Sequence, residues 1–419
     1  MEDIACRAAD AARELAFAST EQKNSVLEFL ALLLRDRQND IISANEADME
    51  EARKNNLPAN MVDRLKFGKK KILSRQKSLA RISALPDPVG SEIVRYRTEN
   101  GLDVSRVRVP LGVILMIYEA RPHVTVNAGA FCVKAGNAAI LRGGSEAKRC
   151  NTLLGELWEE SLLESGLPRK SVEVITSSHE EVEELLAMNE HISLVIPRGG
   201  KKLIETVSAG SRIPVLKHFQ GICHVYLDKD CDAAQGIGVI LDSKCLMPEV
   251  CNAAETLLVH ESLESRLPEI VKSLQNHGVA VRGCERTRKT VPDAAPADEQ
   301  DWRTEYLDMI LSVRTVDSLD QAIHHINTYG SHHTDSIVAS DPERASRFTD
   351  EVDSAVTLVN ASTMFCDGAS LGMGAEIGIS TDKIHARGPM GLEELTSYKF
   401  VIRGEGHIMG EFPDSRETA

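Results

Sequence analysis

What the sequence lacks narrows it first. Its longest uninterrupted apolar run, Leu111 to Tyr118, is far too short to cross a bilayer. The opening Met1-Glu2-Asp3, followed soon by Arg7 and Asp10, has neither the cationic nor the apolar region of a secretory signal, so a cytoplasmic location is expected. No CxxC pair occurs among the nine cysteines (6, 132, 150, 223, 231, 245, 251, 284 and 366). Their odd number and wide spread argue against a disulfide framework and against a zinc ribbon, and in a reducing compartment they are thiols. Positive charge is in deficit: 48 Lys and Arg against 63 Asp and Glu leave a net charge of −15. With no basic stripe evident along the chain, nucleic acid is disfavoured as a partner. The pairs His324-His325 and His332-His333 have no acidic partner at ligand spacing, so no metal is expected. What remains is an ordinary globular composition, 42% hydrophobic and 26% charged over 419 residues, enough for two or three domains.

The first eighty or so residues carry helical spacing, over Glu2 to Ala16, Thr20 to Arg35 and Ser43 to Lys54, with Ser19 and Gln22 placed as a capping box. Then the texture alternates. Val94 to Arg97 and Leu102 to Val109 predict a hairpin around Asn100-Gly101, a ribbon too thin to stand alone. From residue 110 strands and helices take turns. Val113 to Tyr118, Ala138 to Leu141, Val172 to Ile175 and Ile192 to Ile196 read as strands. Helices separate them, one stopping at Gly136, one capped by Ser145 and closed by Gly166, and one opened by Ser178 and Glu181. This alternation specifies a parallel sheet with helices on both faces. A second alternating segment runs from Ile222 to about Val359, interrupted by a surface loop over Thr290 to Gln300, and no internal repeat is present. The fold expected is α/β, with two large lobes and a small β arm.

Parallel α/β sheets bind ligands beyond the carboxyl ends of their strands, where helix N-termini offer free N–H groups to phosphates. Two loops have that form, Arg142-Gly143-Gly144-Ser145 and Pro197-Arg198-Gly199-Gly200, each pairing glycine with a cation. Tight strand-to-helix turns need glycine anyway, so ligand binding and plain turn geometry both remain open. A Walker A loop fails, because Lys202 follows Gly200-Lys201 and Val195 stands where its first glycine belongs. The run Gly372 to Gly378 lies far from the βαβ units and reads as a loop.

Among the thiols Cys251 differs in context. A proline-containing loop, Met247-Pro248-Glu249-Val250, delivers it to the start of a strand, where scaffolds hold nucleophiles. Around it the sequence resembles the gamma-glutamyl phosphate reductase branch of the aldehyde dehydrogenase superfamily. The resemblance rests on motifs in unbroken order over about residues 3 to 405. They include Val109-Pro110-Leu111-Gly112-Val113-Ile114, Tyr118-Glu119-Ala120-Arg121-Pro122, Ala135-Gly136-Asn137 and Ile196-Pro197-Arg198-Gly199-Gly200. Gly221-Ile222-Cys223-His224, Cys251-Asn252-Ala253-Ala254-Glu255-Thr256, Val359-Asn360-Ala361-Ser362-Thr363, Gly374-Ala375-Glu376-Ile377-Gly378 and Ile384-His385-Ala386-Arg387-Gly388-Pro389 follow.

The resemblance implies a Rossmann-like cofactor lobe over 1–221 with the hairpin 93–108 as an oligomerisation arm, a catalytic lobe over 222–388, and a return segment and oligomerisation tail over 389–419. A homodimer or larger assembly is expected. The implied reaction is NADPH-dependent reduction of L-glutamyl 5-phosphate to glutamate 5-semialdehyde in proline biosynthesis, through a thioester on Cys251. For the cofactor it implies Arg142, Gly143, Ser145, Pro197, Arg198, Gly199 and Gly200, with Glu305 on the nicotinamide ribose. A cation after the strand tolerates a 2′-phosphate, whereas Glu146, one residue beyond Ser145, would favour NAD. Substrate candidates are Glu119, Arg121, Asn360, Ser362, Thr363 and Arg387.

Three departures from the superfamily stand out. His218, 33 residues ahead of Cys251, falls roughly where a water-activating acid is usual, and a reductase must keep water from its thioester. The usual oxyanion Asn has no counterpart at Tyr118 to Pro122, which leaves backbone donors such as the Cys251 amide. Met364 stands where a basic residue is usual after Asn-Ala-Ser-Thr. Two rival readings follow: an oxidative aldehyde dehydrogenase for another small aldehyde, and a catalytically silent partner of glutamate kinase, which Met364 encourages.

Overall fold

In a computed structural model of the chain, residues 1–217, 220–374 and 376–410 are described. Five helices open it: α1 (Glu2–Leu15), α2 (Thr20–Asp36), α3 (Gln38–Lys54), α4 (Ala59–Leu65) and α5 (Lys69–Ala84). Ser19 and Gln22 make the expected capping box at 3.1 and 3.2 Å. A hairpin, β1 (Glu92–Arg97) and β2 (Asp103–Pro110), follows.

The first lobe then runs β3 (Val113–Tyr118), α6 (Pro122–Lys134), β4 (Ala138–Gly143), α7 (Lys148–Glu164), β5 (Val172–Ile175), α8 (His179–Leu186), β6 (Leu194–Arg198) and α9 (Lys201–Gly210). Its four strands are parallel in the order β5-β4-β3-β6. Every residue of β3 is buried, as an interior parallel strand with helices on both faces requires. Residues of α2, α5, α6 and α7 pack on one face, and those of α1, α8 and α9 on the other.

One local expectation fails. Ser145 does not cap α7. Ser145–Ala147 form a 3₁₀ turn, and the N–H groups of Arg149 and Cys150 donate instead to the Asp48 carboxylate of α3, at 3.1 and 2.9 Å.

The second lobe comprises β7 (Cys223–Leu227), α10 (Ala233–Cys245), β8 (Ala254–His260), α11 (Leu267–Asn276), β9 (Ala280–Gly283), α12 (Glu285–Thr290), β10 (Ala295–Pro296), β11 (Ile310–Val316), α13 (Leu319–Tyr329), β12 (Thr334–Val338), α14 (Pro342–Glu351) and β13 (Val356–Val359). Its strands are parallel in the order β10-β9-β11-β8-β7-β12-β13. The loop expected over Thr290 to Gln300 therefore contributes a short strand, and its proline sits where it is tolerated, at the sheet edge.

The chain ends with β14 (Gly378–Ser380), β15 (Gly388–Met390) and β16 (Thr396–Arg403). Ile377, Ala386, Met390, Leu392 and Leu395 join the first lobe's core, so the return begins before the 389 boundary expected. β16 pairs antiparallel with β2, and the anticipated ribbon is a three-stranded sheet, β1-β2-β16. Residues 411–419 of the expected tail lie outside the described residues. No helix among those described is long and apolar enough to cross a membrane.

Candidate active site

The lobes meet where Arg121 and Arg198, after β3 and at the end of β6, act on Cys251 ahead of β8, with Gly221 ahead of β7 packed on it. Cys251 sits in the turn between α10 and β8, half-buried. Burial pushes its thiol up to about 11; Arg198 opposes that most strongly, while Glu376 and Glu305 add to it. The Cys251 amide N–H also interacts with its own sulfur and favours the thiolate. Gly221 must be glycine, since a Cβ there would lie 1.7 Å from the Cys251 carbonyl oxygen. Asn252 anchors the turn by donating to the Thr363 carbonyl at 3.1 Å.

The two first-lobe loops flank β3. In the first, Arg142 Nη2 donates to the Ser177 carbonyl at 2.8 Å, and its buried Nε has no partner. Gly143 is buried and Ser145 exposed. The Glu146 carboxylate turns back to accept from Ala120 N–H and lies over Gly144, where a Cβ would meet it at 2.1 Å. In the second, Pro197 is buried in β6, and Gly200 N–H donates to Glu119 Oε2 at 2.9 Å. A carboxylate thus occupies the N-terminus of α9, beside Gly199. The Arg198 side chain acts on Cys251 and lies against β14, its Nη1 2.9 Å from where a Cβ of Gly378 would stand.

Glu305 accepts from Gly221 N–H at 2.7 Å, and burial raises its pKa. Beneath it Lys244 and Glu255 form a buried pair at 2.6 Å, and Glu255 Oε1 accepts from Leu307 N–H at 3.1 Å. Glu305 is therefore held rigidly one backbone segment from the cysteine.

The six substrate candidates separate. Arg121, at the N-cap of α6, faces Cys251 and Arg198, and Glu119 neighbours it. Ser362 and Thr363 brace the Cys251 turn, which Asn252 ties to Thr363: Ser243 Oγ donates to Ser362 Oγ and accepts from Thr363 N–H, both at 3.1 Å. Asn360 is spent on Ala339, accepting from its N–H and donating to its carbonyl at 2.9 Å each. Arg387 pairs with Asp353 at 2.9 Å. Met364 is buried, and His218 lies outside the described residues.

Sequence reasoning missed Lys71, Arg75, His123 and Glu376. Glu376, within electrostatic reach of Cys251 and Arg198, accepts from Gly368 N–H at 2.9 Å. Lys71 and Arg75, which face His123, correct the reading that no basic stripe exists. The signal was Lys69-Lys70-Lys71 with Arg75 four residues on, one helical turn apart in an acidic chain. Among the described residues no group of three or more His, Cys, Asp and Glu is placed to hold a metal ion.

This arrangement, a cysteine between two parallel-sheet lobes, coincides with what comparison with other proteins finds. A sequence model of the aldehyde dehydrogenase family matches residues 1–282. The chain belongs to that family. Gamma-glutamyl phosphate reductase of Desulforapulum autotrophicum is 50% identical over 97% of this chain and 98% of its own. That of Carboxydothermus hydrogenoformans is 48% identical over 97% and 99%. The crystal structure of gamma-glutamyl phosphate reductase from Thermotoga maritima superposes with a TM-score of 0.95, at 44% identity, over 98% of this chain and 99% of that one. Within the family, then, the chain falls in the gamma-glutamyl phosphate reductase group. An acetylating aldehyde dehydrogenase from Geobacillus thermoglucosidasius, 16% identical with a TM-score of 0.69, shares the fold.

Proposed function

We propose that the chain reduces L-glutamyl 5-phosphate to glutamate 5-semialdehyde with NADPH, the reductive step of proline biosynthesis, through a thioester on Cys251. The observation that carries the reading is Cys251 held at the lobe junction opposite Arg198, in a chain about half identical to reductases of this name. The resting sulfur is a thiol, so its proton must leave as it attacks. Attack on the acyl carbonyl forms the S–C bond and breaks the C–O bond to phosphate, and the thiol proton departs with the phosphate as HPO₄²⁻. The Cys251 amide and the Arg198 guanidinium face the developing oxyanion.

The residues fit a nicotinamide cofactor. The partnerless Nε of Arg142, the glycines of both loops and the anchored Glu305 would hold it, and it would supply the hydride that reduces the thioester. With Glu146 engaged by Ala120 N–H, no free carboxylate directly follows β4, which favours NADPH over NAD. A cytoplasmic homo-oligomer fits the β1-β2-β16 sheet, where Tyr398, Phe400 and Ile402 are exposed at alternate positions of β16.

The test is the reverse reaction: glutamate 5-semialdehyde, phosphate and NADP, followed by NADPH absorbance. Phosphate-dependent reduction is expected, and Cys251→Ala lowers it by at least about 10³-fold with the fold intact. Reduction without phosphate would mean a hydrolytic dehydrogenase. None with any aldehyde would favour the silent partner of glutamate kinase.

A further inference from the structure

Four cations surround His123, and two of them, Arg121 and Arg198, also reach Cys251. Lys71 and Arg75 lie one turn apart on α5, Arg121 caps α6, and Arg198 ends β6; all are half-buried. Among the described residues none of the four forms a direct ion pair, although Glu119 lies within electrostatic reach of Arg121 and Glu376 of Arg198, and Arg75 has only Ser74 Oγ at 3.0 Å. Two other buried cations are paired with carboxylates, Lys23 with Asp87 at 2.5 Å and Lys244 with Glu255 at 2.6 Å. Leaving four like charges together and partly desolvated is destabilising unless an anion joins them.

The groups they enclose point the same way. The His123 ring, within reach of all four, is held down to about 3 by burial and by these cations, so it adds no charge of its own. Its Nδ1 is buried without a partner, as is Asn127 Oδ1 one turn further along α6. Asn127 lines a cavity of about 260 Å³ that, of the four cations, only Arg75 borders, together with Lys77, Arg81, Asp367 and Glu376. That volume, below the ~300–1,000 Å³ of drug-sized ligand sites, suits a small anion or amino acid and not a nucleotide. Arg121 and Arg198 both act on the Cys251 sulfur, which joins the cluster to it through these two residues.

We propose that Lys71, Arg75, Arg121 and Arg198 form an oxyanion site that holds the phosphoryl group of the acyl phosphate at Cys251, and inorganic phosphate in the reverse direction. The site rests on the proposed acyl-phosphate chemistry. As the S–C bond forms and the C–O bond breaks, the phosphate departs into the cations that already hold it, carrying the thiol proton. Because the cluster is self-repelling when empty, phosphate binding should also stabilise the fold.

Lys71→Gln and Arg75→Gln test it, assayed in the reverse reaction with phosphate varied. Each should raise the KM for phosphate about tenfold or more while the KM for NADP stays within about twofold. Without added phosphate, neither variant should melt below the wild type, since no carboxylate loses a partner. Inorganic phosphate, compared with chloride at equal ionic strength, should raise the wild-type melting temperature and leave the double variant unmoved. An unchanged phosphate KM in both variants, or an equal phosphate shift in wild type and double variant, would overturn the site. A raised NADP KM with an unchanged phosphate KM would assign the cations to the cofactor and overturn it too. A wild type whose turnover ignores phosphate would refute the reaction, and the melting shift would still judge the site separately.

Discussion

The loops Arg142-Gly143-Gly144-Ser145 and Pro197-Arg198-Gly199-Gly200 read alike in sequence: a strand, a cation, two glycines, then a helix. Their cations go opposite ways. Arg142 stays in its own lobe, donating to the Ser177 carbonyl, whereas Arg198 reaches across to Cys251. The difference follows from strand order. β4 is an interior strand, and β5 leads directly to Ser177 beside it; β6 is an edge strand whose end opens on the second lobe. Glycine spacing governs how closely backbone can approach a ligand, while the direction of the adjacent side chain is set by residues far away in the chain.

Replacing each cation should separate the two roles. Arg198→Leu removes the guanidinium nearest the reacting sulfur and should lower kcat by about 10²-fold, the usual cost of losing one charge-stabilising donor. Its KM for NADP should stay within about twofold. Steady-state kinetics with NADP varied provide the check, and a pure KM effect would put Arg198 on the cofactor instead.

The same arginine should be visible in the sulfur's titration. With the Cys251 thiol pushed up to about 11 by burial, its neutral form dominates at pH 7 and the thiolate grows as pH rises. Alkylation of Cys251 by iodoacetamide, read by peptide mass spectrometry, should climb about tenfold per pH unit from 7 to 10 without a plateau. Arg198→Leu should slow it several-fold at each pH, because the group that favours the thiolate is gone, and Arg142→Leu should leave it unchanged. A plateau near pH 8 would place the thiol lower than its burial implies.

How far the sequence carried the reading depended on locality. The βαβ alternation, the capping boxes at Ser19 and Ser178, and the Cys251 turn all follow from neighbours within a few residues, and each is present in the structure. The misses are of one kind. β16 completes a sheet begun just over three hundred residues earlier, and Asn360 is consumed by the backbone of Ala339. The cations of α5 meet Arg121, at the start of α6, and Arg198, at the end of β6, only through the packing of α6 around His123. Residue type announces chemistry, and tertiary packing decides which of two similar residues performs it.

Arg142→Leu supplies the converse of the Arg198 variant. On the proposed reading, in which Arg142 holds cofactor phosphate, the KM for NADP should rise about three- to tenfold and kcat should hold within about twofold. Equal splits in the two variants would erase the distinction between the loops.

The smallest effect is also the most local, and concerns how each loop's helix begins. In both, the cap is a carboxylate from elsewhere: Glu119 at Gly200 N–H, and Asp48 at the N–H groups of Arg149 and Cys150. Asp48→Ala would strand the buried Cys150 N–H and should cost about 1 kcal/mol, within the range for a lost cap. Ser145→Ala, which removes the residue the local sequence nominates, should fall within about 0.5 kcal/mol of wild type. Amide exchange at Arg149 and Cys150 distinguishes them, faster by several-fold in Asp48→Ala and unchanged in Ser145→Ala. Equal acceleration in both would return the cap to Ser145. It would also make the first loop self-sufficient in a way the second, dependent on Glu119, is not.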